Sequence, residues 1–268
     1  MFSTFEGGHY MKRRLKIIAP IAAAVILLGI AYFLILHPRI MLYGAVKEFI
    51  KGIPYSADYF TEYTVHNDTY TQFETDWYTL ELPPDIQLQP HLEGSSLRQY
   101  KTNDGITQVI ICGESDNSAL NMYAPENYSE MSTDELNMEL EGFKNGFDKI
   151  GKGHPDSAYG LHKCAALINS DDYDFWDLEK AYAFSVVGLF KALNEPITGR
   201  YHLIYESEEI CGIFSYSNKT DEETNAEYYS VWFDFYSTDD LNTAYGINAK
   251  TQTLEEAYAI VNSIKFNN

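Results

Sequence analysis

The chain has 268 residues and carries 19 Lys and Arg against 39 Asp and Glu, a formal net charge of −20 at pH 7. The imbalance is uneven: residues 1–39 hold five basic residues and one acidic, net +4, while residues 40–268 hold fourteen and thirty-eight, net −24. A region that acidic is repelled by phosphates, which excludes nucleic acid as a partner and favours cations or a basic protein; a surface charged for solubility is the plainer account of the same numbers.

Twenty consecutive residues, Ile17–Leu36, carry no charge and almost no polarity, between Lys12-Arg13-Arg14-Lys16 and His37-Pro38-Arg39. At 1.5 Å rise per residue such a helix reaches about 30 Å, the thickness of a bilayer's hydrocarbon core. The run is longer than the apolar region of a signal peptide and exits without a small-x-small cleavage site, so the spacing predicts a retained transmembrane helix. The basic residues precede it, which places residues 1–16 in the cytoplasm as a short tail and the rest of the chain outside the membrane.

After the span, Leu42, Ala45, Val46, Phe49, Ile50 and Ile53 recur at helical spacing, predicting an amphipathic juxtamembrane helix that Gly52 and Pro54 end. Residues 37–75 are thus this helix and a polar spacer, and the folded domain occupies 76–268. Tyr78, Leu80 and Leu82 alternate with polar residues before Pro83-Pro84, as in a half-buried strand. Leu97 to Thr102 and Thr107 to Cys112 form a hairpin around Asn103-Asp104-Gly105-Ile106.

Ser132 and Glu135 make a capping box, with Leu136, Leu140, Phe143, Phe147 and Ile150 following at helical spacing until Gly151. Leu161 to Ile168 reads as a second helix. Phe175 to Leu193 reads as a third, apolar on nearly all sides and therefore buried. Strands return at Arg200 to Glu206, Ile210 to Tyr216 and Tyr228 to Tyr236, and Leu254 to Ser263 is a final helix. This order indicates an α+β domain: an antiparallel sheet with helices mainly on one face, preceded by a single N-terminal transmembrane helix.

Chemistry is harder to find. Three cysteines, Cys112, Cys164 and Cys211, show no ligand spacing for zinc; in an oxidising exterior Cys112 and Cys211 are the pair placed to bridge, the alternative being buried thiols. Asp171, Asp172, Asp174 and Asp177 crowd the start of the third helix. They are the one candidate metal cluster, for calcium, although helix capping draws carboxylates to the same place and the Gly and Glu of a calcium loop are missing. Otherwise no cofactor is indicated.

No nucleophile elbow, zinc-protease helix, phosphate loop or dinucleotide fingerprint occurs. The function expected is therefore a membrane-tethered binding domain for an unknown protein or ligand, the alternative being an exported hydrolase dependent on carboxylates or calcium. Tyrosine is unusually abundant at 22 residues, which suits either a partner-binding surface or a half-exposed sheet. Along Tyr228 to Tyr236, Tyr229, Val231, Phe233 and Phe235 face one way and Ser230, Trp232, Asp234 and Tyr236 the other. Trp232 and Tyr236 are the partner-binding residues expected on the open side.

The segments Trp77-Tyr78-Thr79-Leu80-Glu81-Leu82-Pro83 and Ala257 to Phe266 resemble the first strand and last helix of the PsbP-like α/β sandwich, whereas the helical stretch from Ser132 to Asn194 departs from it. In overall layout the chain resembles uncharacterised single-pass, membrane-anchored extracytoplasmic proteins of Gram-positive bacteria. The resemblance implies export on an anchor and supplies no catalytic residues.

Overall fold

The computed structural model describes residues 20–52, 57–60, 69–75, 78–89, 97–103, 105–115, 132–194, 201–241 and 244–267. The predicted tail 1–16, the first three residues of the predicted span and Trp77 lie outside them. The first helix, α1 (20–52), joins the predicted span and the predicted juxtamembrane helix without a break. Its Pro20–Glu48 portion is the one helix among the described residues that is long and apolar enough to cross a membrane, and none of its apolar stretch is buried in protein.

Within α1 the turn Tyr32–Leu36 is π-helical, and the His37 amide donates to Tyr32 O, five residues back. Pro38 explains it. Proline offers no N–H and its ring crowds the carbonyl four residues earlier, so the wider turn ahead of it relieves the clash and keeps the helix continuous.

The domain is α+β, as expected. Strands β1 (Asp58–Tyr59), β4 (Gln87–Leu88), β5 (Leu97–Lys101), β6 (Gln108–Ser115), β7 (Tyr201–Glu206), β8 (Ile210–Thr220), β9 (Glu227–Ser237) and β10 (Ala244–Thr251) form one sheet in the order β1-β7-β8-β9-β10-β6-β5-β4. Its pairings are antiparallel except β1 with β7. A second sheet is β11-β3-β2, from Lys265–Phe266, Tyr78–Leu82 and Thr71–Glu74.

Helices α2 (Thr133–Lys149), α3 (Ala158–Ala166), α4 (Leu178–Asn194) and α5 (Leu254–Asn262) complete the domain. The capping box of α2 forms as predicted: Ser132 Oγ accepts from the Glu135 amide, and Glu135 Oε2 accepts from the Ser132 amide at 2.8 Å. Gly151, at φ +81°, follows its last turn, a conformation that glycine adopts without steric cost.

Alternation along the strands divides the large sheet into two buried faces. Val231, Phe233 and Phe235 of β9 join Phe214, Ile247, Val109 and Ile111 in a core closed by α5 and the small sheet, through Ala257, Ile260, Leu80 and Leu82. On the other face Ile204, Cys211, Ile213 and Tyr236 pack under α3. A third cluster joins the helices to one another: Phe147 from α2, Leu161 and Cys164 from α3, Phe184 and Val187 from α4, and Ile50 of α1 against it. Lys191 is buried and donates to the carbonyls of Ala166 and Ile168, at 3.1 and 2.9 Å, which satisfies orphan acceptors at the end of α3.

Candidate functional site

Of the two residues expected on an open sheet face, Tyr236 is closed off and Trp232 is half-buried. Tyr236 is 0% exposed, with its ring 5.8 Å from that of Tyr159 and 5.6 Å from that of His162, both on α3. Burial pushes its hydroxyl well above the usual range. Trp232 is half-buried and its indole N–H donates to Asp234 Oδ1. The alternation correctly groups these side chains; the correction is that α3 covers this face at Tyr236. The opposite face is closed by α5 and the small sheet, and on this side α3 packs over Tyr236, Cys211 and Ile213. Beside them α3 is clasped to the sheet by Glu206, whose Oε1 accepts from Tyr159 at 2.7 Å and from Lys163.

Three of the four aspartates are engaged in local hydrogen bonds. Asp172 accepts from the Asn169 amide at 2.9 Å and pairs with Lys152 at 2.9 Å. Asp174 accepts from the amides of Trp176 and Asp177, which lowers its carboxyl below the ordinary value. Asp177 caps α4 by accepting from Glu179 and Lys180, both at 3.1 Å, while Asp171 is exposed. These bonds are what a helix N-terminus asks of carboxylates. Among the described residues, no group of three or more His, Cys, Asp or Glu is arranged to hold a metal ion.

Cys211 is a free, buried thiol, as is Cys164. In the sheet order β8 and β6 are separated by β9 and β10. Three strand spacings put Cys211 about 14 Å from Cys112, against the 7 Å or so that bounds a disulfide's Cα separation. The expected Cys112–Cys211 bridge is thereby corrected.

An open concave surface among the described residues lies elsewhere, where α1 meets α2 and α4. A groove of about 650 Å³ is walled by Pro38 and Leu42 of α1, by Gly142, Asn145, Gly146 and Lys149 of α2, and by Leu178, Glu179, Tyr182, Ala183 and Val186 of α4. Its size falls within the roughly 300–1,000 Å³ typical of small-molecule sites. Glycine shapes it: at Gly146 an added Cβ would stand 2.6 Å from Val187 Cγ1, whereas at Gly142 it would meet nothing within 4 Å. The helices α2 and α4 therefore touch at Gly146, and Gly142 opens into the groove.

The lining is mostly apolar; its polar side chains are Asn145, Lys149, Glu179 and Tyr182, and of these Lys149 pairs with Glu179. The predicted third helix was expected to be buried on nearly all sides. Ala181, Phe184 and Val187 are buried, yet Tyr182 is 65% exposed, on the face that borders the groove.

Just beside the groove, Arg39 holds α1 to the entry of α4. Its Nε and Nη2 donate to Trp176 O at 3.2 and 3.0 Å, and its Nη1 to Ile35 O. Tyr43 packs its ring 5.8 Å from Tyr173 and 6.1 Å from Phe175. Trp176 itself is 70% exposed. The only sequence signals for this joint are Arg39 alone after an apolar run and aromatics clustered ahead of α4; neither reveals that the two segments meet.

No family model matches the chain, and no curated protein does. A solved structure from Bacteroides thetaiotaomicron VPI-5482 is similar at 10% sequence identity and a TM-score of 0.34, over 75% of this chain and 49% of that one. The chain thus spans about half the length of that protein, and a likeness at this level assigns neither activity nor ligand.

Proposed function

We propose that the chain is a membrane-tethered domain, held outside the cytoplasmic membrane by Ile17–Leu36, that binds a partner or ligand rather than transforming one. The observation that carries this reading is the continuity of α1. The same helix that is apolar and uncovered in its first half becomes part of the domain in its second, with Val46 buried, Ile50 against the helical core and Arg39 on Trp176.

Such a joint favours retention over cleavage, because the residues that follow the span are helical and wedged against α4 rather than extended. The basic cluster Lys12, Arg13, Arg14 and Lys16 supports a cytoplasmic N-terminus. With Tyr236 buried, the binding surface passes from the Trp232 face to the groove between α1, α2 and α4. In intact cells, protease should degrade a C-terminal tag while a tag before Lys12 survives, and carbonate should leave the protein in the membrane. A protected C-terminal tag reverses the orientation, and release of a shortened soluble form makes the segment a signal peptide.

A further inference from the structure

We infer that the groove between α1, α2 and α4 takes the acyl chain of a membrane lipid. This rests on the tethered reading, which sets the level of the groove relative to the bilayer. Pro38 and Leu42 lie two and six residues past Leu36, so on a helix they stand about 3 and 9 Å beyond the end of the span. The head-group layer is about 5–8 Å deep on each side of the hydrocarbon core. One wall of the groove is therefore at the interface itself, and lipid is at hand without diffusion from solution.

Exposed apolar and aromatic side chains flank the groove. Ile40 and Met41, on the same turn of α1, are exposed, and Met138 is 75% exposed one turn before Gly142 on α2. Trp176 and Tyr182 are exposed beside it, the residue types that settle at membrane interfaces because their rings are apolar and their tips polar. Inside, Gly142, Gly146, Ala183, Val186, Leu178 and Leu42 offer no charge and no side-chain hydrogen bond. A hydrocarbon chain needs neither. The net charge of −24 beyond residue 39 repels anionic head groups, so the attraction is to the chain and not to the head.

The test uses the full chain in phosphatidylcholine nanodiscs containing a phosphatidylcholine with a photoreactive acyl terminus. Labelled peptides are expected from 138–149 and 178–187 as well as from 20–36. Gly142→Phe, which sends a ring into space where nothing stands within 4 Å of the Cβ, should lose the label on 138–149 and 178–187 and keep it on 20–36. Tyr182→Glu, at an exposed site that tolerates the change, should do the same if Gly142→Phe does not fold.

Label confined to 20–36 in the natural chain overturns the inference and leaves the tether standing. Absence of label from 20–36 overturns the tether itself. Groove label that neither variant reduces also overturns the inference. So does a groove that is labelled in nanodiscs but shielded in native membranes by a crosslinked protein, since that assigns the site to a partner's helix.

Discussion

Arg39 binds the carbonyl of Trp176 with two of its guanidinium nitrogens while the third reaches back to Ile35 O, so one side chain locks the end of the apolar helix to the start of α4, 137 residues away. The fork is specific to arginine: lysine has a single nitrogen and reaches one acceptor at a time in this geometry. The contact is exposed, so its worth is at the low end for a charged hydrogen bond. Arg39→Ala and Arg39→Lys should each loosen the joint by about 1 kcal/mol. Faster hydrogen exchange in the first turn of α4, with β8 and β9 unchanged, would show it; unchanged exchange there would mean that Tyr43 and Val46 hold the joint alone.

The two glycines of α2 should respond oppositely to the same methyl group. Gly142→Ala meets nothing within 4 Å and removes a conformational liability from a helix interior, so it should stabilise by about 0.5–1 kcal/mol. Gly146→Ala drives its Cβ to 2.6 Å from Val187 Cγ1, a buried and stiff side chain, and should destabilise by about 1–3 kcal/mol. Denaturant melts of the two variants decide it. Equal shifts of one sign would show that α2 and α4 do not touch where the glycine is needed.

How far these features can be read from the chain depends on whether they are local. The apolar helix that starts by Pro20, the capping box at Ser132 and Glu135, and the alternation of Tyr78, Leu80 and Leu82 are written in consecutive residues and form as expected. Strand β10 was missed because Ala244, Gly246, Asn248 and Ala249 have little strand preference; it is made by pairing with β6 on one side and β9 on the other. The alternation of β9 sorts Trp232 and Tyr236 onto one face but says nothing of what covers it. The groove is likewise absent from any single segment, since one wall comes from α1 and the other two from α2 and α4, which lie far along the chain and are themselves separated by α3.

The thiols test the sheet order directly. Burial pushes Cys164 up to about 11 and Cys211 up to about 12, so both remain protonated and shielded near neutral pH. Iodoacetamide at pH 8 should leave the peptides containing Cys164 and Cys211 unmodified in the native protein and alkylate both after denaturation. A Cys112–Cys211 linked peptide in a non-reducing digest would overturn the arrangement β8-β9-β10-β6.

His162 sets part of the acid sensitivity. It is buried between α3 and β9, with the Tyr236 ring 5.6 Å away and Asp234 Oδ2 4.0 Å from its Nδ1, and burial lowers its pKa from 6.5 to about 3. Between those two values the unfolded chain binds a proton that the native protein refuses, so this group's contribution to stability falls as pH drops through 6.5 and levels off below about 3. The slope from one such group approaches about 1.4 kcal/mol per pH unit. His162→Gln should cost stability at pH 7, where the natural chain keeps its neutral ring packed, and should show a shallower loss between pH 6.5 and 4, so that the gap between the two proteins narrows as acid is added. Parallel curves for the natural chain and the variant, measured by urea unfolding across that range, would mean that His162 takes up its proton in the native state, with Asp234 compensating its charge.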